Sequence, residues 1–406
     1  MHDADPNPPA IIVGQQSRSL SIGLLVAATF LYWVSLYIYV PTLPAYVQTK
    51  TEDLALVGSI LSMYGLWQAI IRLPLGVAAD WVGHRKPFIA GGLLLAGVGA
   101  WLLASSSDPM GLFIGRSVTG LAAATWATFI VAFSSLFPVD ETLRATIMLT
   151  FVNSSGRILA TSSTGILNAW GGYSLPFIIA AVVASIGVLL ILPLRETPHA
   201  RMQPSVTAIT QIVKRRDVLL PALLAAICQY VNWATTFGFI PLLAKQLGAN
   251  DVTQSMLVAM HLGVVILGNL IANRLLKRLG ISCLMLLSFS MLAIGVGLAS
   301  LAHSLSTLFS VQLFIGLSLG INLPVLMGLS IQNVEESGRN TAMGLHQSIY
   351  AIGMFLGPWF SGILASNLGL RWMLAITAVG TALLGLPGVL KVRGIFDNHH
   401  SNSHAV

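Results

Sequence analysis

Twelve long apolar runs, separated by short polar connections, dominate this sequence. An α-helix rises about 1.5 Å per residue, so a run of about 20 residues crosses the hydrocarbon core of a bilayer. Only 9% of the 406 residues are charged, against about 25% in ordinary soluble domains. The sequence therefore predicts an all-α membrane protein of twelve transmembrane helices, near residues 20–44, 54–78, 87–107, 110–136, 142–168, 173–194, 218–247, 252–275, 280–302, 305–332, 337–366 and 369–390.

One long connection divides these runs into two sets of six. The predicted parts are a tail, a six-helix bundle, a central loop, a second six-helix bundle and a second tail, at 1–19, 20–194, 195–217, 218–390 and 391–406. Lysine and arginine concentrate on one side, leaving only Lys50, Lys245 and Arg371 in the connections of the other. The positive-inside rule then predicts that both tails are cytoplasmic, in the inner membrane of a cell. Because topology accounts for the net charge of +7, no nucleic-acid partner is expected.

The two halves of the chain resemble each other. The segment that opens the fifth run, 141–148 (ETLRATIM), aligns with the segment that opens the eleventh, 336–343 (ESGRNTAM), with four identities in eight positions. Each repeat has an even number of spans, so both run through the bilayer in the same direction. Parallel six-span repeats place a binding site near the bilayer midplane, between two halves that rock about it.

The connection between the second and third runs carries a recognisable motif, GVAADWVGHRK, at residues 76–86. It resembles the signature loop of the major facilitator superfamily. The resemblance implies a latch at the cytoplasmic face that holds one conformation. Asp80 needs a cation or another helix's N-terminus as partner, because a carboxylate is unfavourable at a helix C-terminus. The second half has Asn273 in place of the acid, so we expect a one-sided latch formed by Gly76, Asp80, Gly83, Arg85 and Lys86.

Two further motifs extend the resemblance over essentially the whole chain. Arg116, followed by Gly120, resembles the buried-arginine motif of that family, whose arginine handles substrate or protons. The glycines around Gly357-Pro358 in the eleventh run resemble the glycine-proline motif that drug:proton antiporters carry in their fifth span. The chain is thus nearest in appearance to the antiporter-like efflux branch, although this motif is in the opposite half. Close helix packing requires glycines at similar spacing, so the motif has an equally good structural interpretation.

Three arginines lie within the predicted spans, and no acidic residue lies near the centre of one. A charge at the bilayer centre costs about 2.5–3.5 kcal/mol on insertion scales, so each arginine needs a reason. Arg72 is close enough to a helix end to snorkel, and Arg116 has the family motif in its favour. Arg157 is roughly 20 Å from the cytoplasmic end of its helix, too far to reach either surface comfortably, and is the strongest candidate for a substrate-binding residue. Asn153, Arg157, Thr161 and Thr164 form one polar stripe, which we expect to face a cavity or another helix.

Other polar and aromatic side chains fall on spans that line the cavity in this family. His261 and His346 lie about 14 Å into their helices, where each is able to titrate and carry a proton or to serve as a packing residue. The remaining predicted substrate-binding residues are Tyr37, Asn232, Trp233 and Gln347. Cys228 and Cys283 have no partner at metal-ligand or redox spacing and are interpreted as small core residues.

These features favour a secondary active transporter that moves a small solute by alternating access, in which the binding site opens to one side of the membrane and then to the other. A cavity richer in cations than in anions predicts an organic anion or zwitterion as substrate. The alternatives are a proton-coupled exporter of lipophilic drugs and a membrane sensor or scaffold that does not transport. No nucleophile–base pair, metal-ligand cluster or phosphate-binding loop appears, so neither enzymatic activity nor a cofactor or metal is expected. The family resemblance implies a monomer.

Overall fold

The computed structural model describes residues 15–138, 141–194, 196 and 212–403, and within these it contains helices and no strand. The N-terminal half comprises span 1 (Gln15–Tyr37 and Leu43–Gln48), span 2 (Leu54–Val82), span 3 (Lys86–Ser105), span 4 (Pro109–Ala124 and Trp126–Ser134), span 5 (Thr142–Gly171) and span 6 (Ser174–Ile191). The C-terminal half comprises span 7 (Arg216–Ala234 and Ile240–Gln246), spans 8 and 9 (Asp251–Ser300), span 10 (Leu305–Gln332), span 11 (Glu336–Leu368) and span 12 (Leu370–Ser403). Most of the predicted N-terminal tail and of the central loop lies outside the described residues, whereas most of the predicted C-terminal tail continues the helix of span 12.

The twelve-helix prediction is confirmed. Ten of the described helices are long and apolar enough to cross a membrane by length and composition. One of them, Asp251–Ser300, is 50 residues long and is broken at Gly280, which has a φ of 72°, so it holds two spans. Span 5 is not among the ten, although it is 30 residues long, because the polar stripe around Arg157 makes it the most polar of the spans within the membrane.

The connections alternate between two ends of the molecule. We call one the Asp251 end, which holds the connections 49–53, 106–108, 172–173, 247–250, 301–304 and 369. We call the other the Arg85 end, which holds 83–85, 135–138, 192–194, 196, 212–215, 280 and 333–335.

Glycines set how closely the two halves approach. A Cβ atom at Gly58 of span 2 would lie 2.2 Å from the carbonyl oxygen of Pro358 in span 11, and one at Gly65 would lie 2.4 Å from the backbone of Met354. On the other face of span 11, a Cβ atom at Gly353 would lie 2.0 Å from the carbonyl oxygen of Ala226 in span 7. Span 11 is therefore wedged between spans 2 and 7, and its glycine-proline series serves this backbone contact.

Spans 1 and 7 are interrupted at equivalent places. A short 3₁₀ turn, Val40–Thr42, follows the first part of span 1, and a π-helical turn, Thr235–Phe239, follows the first part of span 7. Trp33 and Tyr37 precede the first break, while Trp233 and Phe237 stand 200 residues later at the second. Helix breaks of this kind release backbone groups and re-aim side chains, and they occur often at functional sites.

Candidate functional site

A chain of aromatic rings runs across the interface between the halves. The ring centroids of Tyr64 and Trp233 are 4.9 Å apart, and those of Trp233 and Phe237 are also 4.9 Å apart. The chain continues from Phe237 to Tyr37 at 6.0 Å and from Tyr37 to Trp33 at 5.6 Å. Because Tyr64, Tyr37 and Trp33 belong to the N-terminal half, the chain crosses the interface twice.

Arg157 lies at one end of this aromatic chain. Its guanidinium carbon is 4.3 Å from the ring centroid of Tyr37 and 5.7 Å from that of Trp33. Within the described part of the chain, neither the buried Nε of Arg157 nor the buried Oδ1 of Asn153, one helical turn away, has a hydrogen-bond partner. Cation–π contacts stabilise the arginine but do not satisfy its donors, which remain available to an anion.

Arg116 lies at the other end and is 1% exposed. Its guanidinium carbon is 4.2 Å from the ring centroid of Tyr64 and 5.8 Å from that of Trp233. Its Nε and Nη1 have no acceptor among the described residues. A buried cation without a carboxylate carries an uncompensated desolvation cost, and such groups concentrate at functional sites.

Arg72 differs from the other two arginines because both of its Nη atoms have partners within the protein, although its buried Nε has none among the described residues. Its Nη1 donates to the hydroxyl of Tyr350 at 2.7 Å, and its Nη2 donates to Gln68. The guanidinium also lies over the Tyr350 ring, 5.5 Å from its centroid. Since Tyr350 is in span 11, Arg72 joins spans 2 and 11 as a structural contact between the halves.

His261 is fully buried beside Phe237 and is held by two polar neighbours. Its Nδ1 is 2.9 Å from Oε1 of Gln312, and the hydroxyl of Thr236 donates to the same oxygen at 3.1 Å. With the amide in this orientation, Nδ1 carries the proton and Nε2 presents a lone pair. Nε2 has no partner among the described residues. This histidine is therefore fixed in orientation with one nitrogen uncommitted.

His346 has a different environment, nearer the Arg85 end. Its Nδ1 is 2.7 Å from the hydroxyl of Ser330, which itself donates to the carbonyl oxygen of Val218 at 3.2 Å. A serine hydroxyl has one proton, so His346 Nδ1 is the donor in its own hydrogen bond. The imidazole packs edge-on against Tyr350, with the ring centroids 6.0 Å apart.

The other predicted residues are distributed unevenly. The hydroxyls of Thr161 and Thr164 donate to carbonyl oxygens of their own helix, at Arg157 and Ala160, so the uncommitted part of the polar stripe is Asn153 with Arg157. Asn232 donates to Gln229 at 3.3 Å, and its buried Oδ1 has no partner in the described chain. Gln347 is 8% exposed, on the same span as His346.

At the predicted latch, the Asp80 side chain lies outside the described side chains, and Gly76 faces open space. Gly83 ends span 2 with a φ of 75°, a conformation that favours glycine. The backbone N–H groups of Arg85 and Lys86, at the start of span 3, donate to the Glu196 carboxylate at 2.7 and 2.8 Å. Glu196 was not predicted from the sequence. The signal was available, because a carboxylate is favoured at a helix N-terminus.

Gln312 and Thr236 were also missed, although the repeat offered a clue. Gln312 stands four residues before Gly316, as Arg116 stands four residues before Gly120. A Cβ at Gly120 would lie 3.0 Å from the Tyr64 backbone, and one at Gly316 would lie 3.0 Å from the His261 carbonyl oxygen. The Gln312–His261 pair thus takes the place that Arg116–Tyr64 occupies in the first half.

The chain was compared with known proteins. The model of the Major Facilitator Superfamily matches residues 25–228 and 222–403. The chain belongs to the Major Facilitator Superfamily. It is therefore an integral membrane transporter of a small molecule, as the sequence predicted, and not an enzyme.

Two relatives and one solved structure illustrate its place in this superfamily. The human MFS-type transporter SLC18B1 is 25% identical over 378 residues, covering 85% of this chain and 80% of the relative. The class H tetracycline resistance protein of Pasteurella multocida is 31% identical over 181 residues, covering 44% and 45%. A bacterial homologue of the human lysosomal transporter Spinster, in an inward-facing and occupied conformation, superposes with a TM-score of 0.78 at 15% identity, covering 94% and 97%.

Proposed function

We propose that this transporter moves an organic anion or zwitterion by secondary active transport, with Arg157 binding the substrate's carboxylate or phosphate. The observation that carries the proposal is the environment of Arg157. It is a cation at the interface of the halves that lies over the rings of Tyr37 and Trp33. Its buried Nε has no hydrogen-bond acceptor among the described residues. A guanidinium forms paired, charge-assisted hydrogen bonds with such groups. Arg116, at the far end of the aromatic chain, supplies a second positive charge.

The contacts between halves support alternating access from a state closed at the Asp251 end. Hydrogen bonds from Asn168 to Asp251 and from Ser366 to Asp53 join the halves there. Leu73 and Gly344 approach each other in spans 2 and 11 nearer the Arg85 end. A cavity of about 460 Å³ lies within the C-terminal half, lined by Asn269, Asn273, Gln332 and Arg339 among others. With both termini cytoplasmic, the closed Asp251 end is the one that faces away from the cytoplasm, in the inner membrane of a cell, and the protein acts as a monomer.

A second candidate is proton-coupled export of lipophilic drugs. Two observations favour it: the continuous aromatic chain, which suits flat apolar ligands, and the similarity of part of the chain to a tetracycline resistance protein. In that case a histidine, His261 or His346, carries the proton. The two candidates differ in whether Arg157 contacts the ligand.

A thermal-stability screen of the detergent-purified protein separates the two candidates. Matched panels of organic anions and lipophilic cations are added, because a ligand stabilises the folded state by RT ln(1 + [L]/Kd). Stabilisation by anions is expected in the wild type but not in Arg157→Gln. The control variant Arg144→Gln replaces an exposed arginine of the same span and is expected to behave as the wild type does. Stabilisation by cations alone, equal in all three proteins, would reject the anion proposal in favour of drug export.

A further inference from the structure

Two hydrogen bonds that join the halves at the Asp251 end have the same design. In one, the Ser366 hydroxyl of span 11 donates to Oδ1 of Asp53, the residue that caps span 2, at 2.9 Å. In the other, the Asn168 amide of span 5 donates to Oδ2 of Asp251, the first residue of span 8, at 2.8 Å. Each bond therefore links a carboxylate at the start of a helix in one half to a polar side chain near the end of a helix in the other half.

The internal repeat relates the two bonds. Asp53 and Asp251 are 198 residues apart, and so are Asn168 and Ser366. Each bond also adjoins a glycine at which the backbones of the two halves touch. A Cβ at Gly165 would lie 2.4 Å from the Asp251 carbonyl oxygen, and one at Gly362 would lie 2.7 Å from the Leu54 carbonyl oxygen. The two carboxylate bonds are thus symmetry-equivalent parts of one closure.

We propose that Asp53–Ser366 and Asp251–Asn168 are a pair of clasps that hold the Asp251 end closed, and that both break each time this end opens. The proposal rests on the alternating access proposed above. It assigns the closed state to four named side chains rather than to apolar packing alone.

The chemistry of the clasps suits a reversible closure. Asp53 is exposed and Asp251 is half-buried, so each carboxylate can be rehydrated as the halves part, without the large cost of leaving a buried charge unpaired. Each carboxylate also lies in the first turn of a helix, where the helix dipole stabilises the negative charge in either state. The clasps therefore stabilise the closed end without making it permanent.

The Asp251 clasp is the stronger of the two. The Tyr173 hydroxyl also approaches Asp251 Oδ1, at 3.4 Å, and the Asn168 amide also donates to Thr42 at 3.0 Å. Partial burial, together with the negative charge of Asp251, raises the pKa of Tyr173 to about 12, so its hydroxyl keeps its proton near neutral pH. Asp53, by contrast, has Ser366 as its partner across the interface.

The test measures the opening of this end directly, in lipid nanodiscs without substrate. Spin labels are placed at Ser107 and His303, exposed residues of opposite halves at the Asp251 end, after Cys228→Ala and Cys283→Ser remove the native thiols. Distance distributions from double electron–electron resonance then give the ratio of open to closed molecules. Because no substrate is present, the outcome is independent of which solute the transporter carries.

Hydrogen bonds to charged groups are stronger than those between neutral groups, and they contribute less when they are exposed. Asn168→Ala is therefore expected to raise the open-to-closed ratio about tenfold, Ser366→Ala about threefold, and the double variant about thirtyfold. The matched controls Ser163→Ala and Asn367→Ala remove side chains that bond only their own helices and are expected to leave the ratio unchanged. Should Asn168→Ala fail to give a monodisperse protein, Asn168→Asp opposes two carboxylates and should open the same end.

The proposal is overturned if the double variant keeps the wild-type ratio, or if the controls shift it as much as the clasp variants do. A raised ratio in the clasp variants supports the clasps even where Arg157→Gln proves to bind anions normally. In that outcome only the substrate assignment fails.

Discussion

Replacing Arg157 by glutamine should separate ligand binding from stability, because the arginine has favourable ring contacts but its Nε has no hydrogen-bond partner among the described residues. The change removes two cation–π contacts, each about 0.5–2 kcal/mol, from the ligand-free protein. It also removes a desolvation cost, which is partial because the Arg157 side chain is half-buried, so the two effects oppose each other. We therefore expect the ligand-free Tm to stay within a few degrees of the wild-type value or to rise.

Binding of an anion should respond quite differently. A hydrogen bond to a charged group contributes about 1.5–3 kcal/mol, and every 1.4 kcal/mol corresponds to about a tenfold change in Kd. Arg157→Gln should then raise the Kd for the anion found in the stability screen by about 10- to 100-fold. Arg157→Lys keeps the charge but loses the planar donor pair, so its Kd should lie between those of the wild type and Arg157→Gln. Concentration series of Tm measure all three Kd values.

A binding role for Arg157 would be refuted if Arg157→Gln lowered the ligand-free Tm sharply while the Kd stayed within about threefold of the wild-type value. That pattern would mean that Arg157 is a packing residue between span 5 and the rings of span 1.

Three further predictions concern stability, each measured by thermal unfolding in detergent. Gly58→Ala places a Cβ 2.2 Å from the Pro358 carbonyl oxygen and should destabilise by about 1–3 kcal/mol, whereas Gly91→Ala, with open space around it, should be neutral. Gln312→Leu should lower the free energy of unfolding by about 1–3 kcal/mol, because it leaves His261 Nδ1 and the Thr236 hydroxyl without their shared acceptor. A loss below about 0.5 kcal/mol would contradict that network. Glu196→Ala should lower the free energy of unfolding by about 0.5–2 kcal/mol, because it removes the acceptor at the start of span 3. Glu196→Gln should lower it less, because the amide oxygen still accepts a hydrogen bond. Equal losses in the two variants would argue against capping.

The fold could be predicted because a membrane imposes strong constraints on sequence. Backbone groups in hydrocarbon must be satisfied within a helix, so each apolar run of sufficient length had one available structure. Span 5 was found despite its polarity because its ends were marked by loops and its polar residues kept one helical face. The Gly280 joint was harder to foresee, since its positive φ lets two helices meet without a visible connection.

The candidate site could be predicted only in part. Arg157 and Arg116 stood out because a charge in an apolar run is conspicuous from one residue alone. Their partners did not, because Tyr64 and Trp233 meet across the interface and nothing local in the sequence pairs them. Gln312 had a related difficulty, since a single amide in an apolar span is unremarkable until His261 is placed beside it. Contacts between the halves depend on how the two bundles are oriented, which no periodicity encodes.

The joint at Gly280 gives the two halves different mechanical properties at the Arg85 end. In the N-terminal half, spans 2 and 3 are separated by residues 83–85, and Glu196 holds the start of span 3 from a distance. In the C-terminal half, one glycine is the whole connection between the helices of spans 8 and 9. A movement of span 8 is therefore passed to span 9 through a single residue, whereas the N-terminal half has a three-residue loop and a carboxylate at the equivalent place.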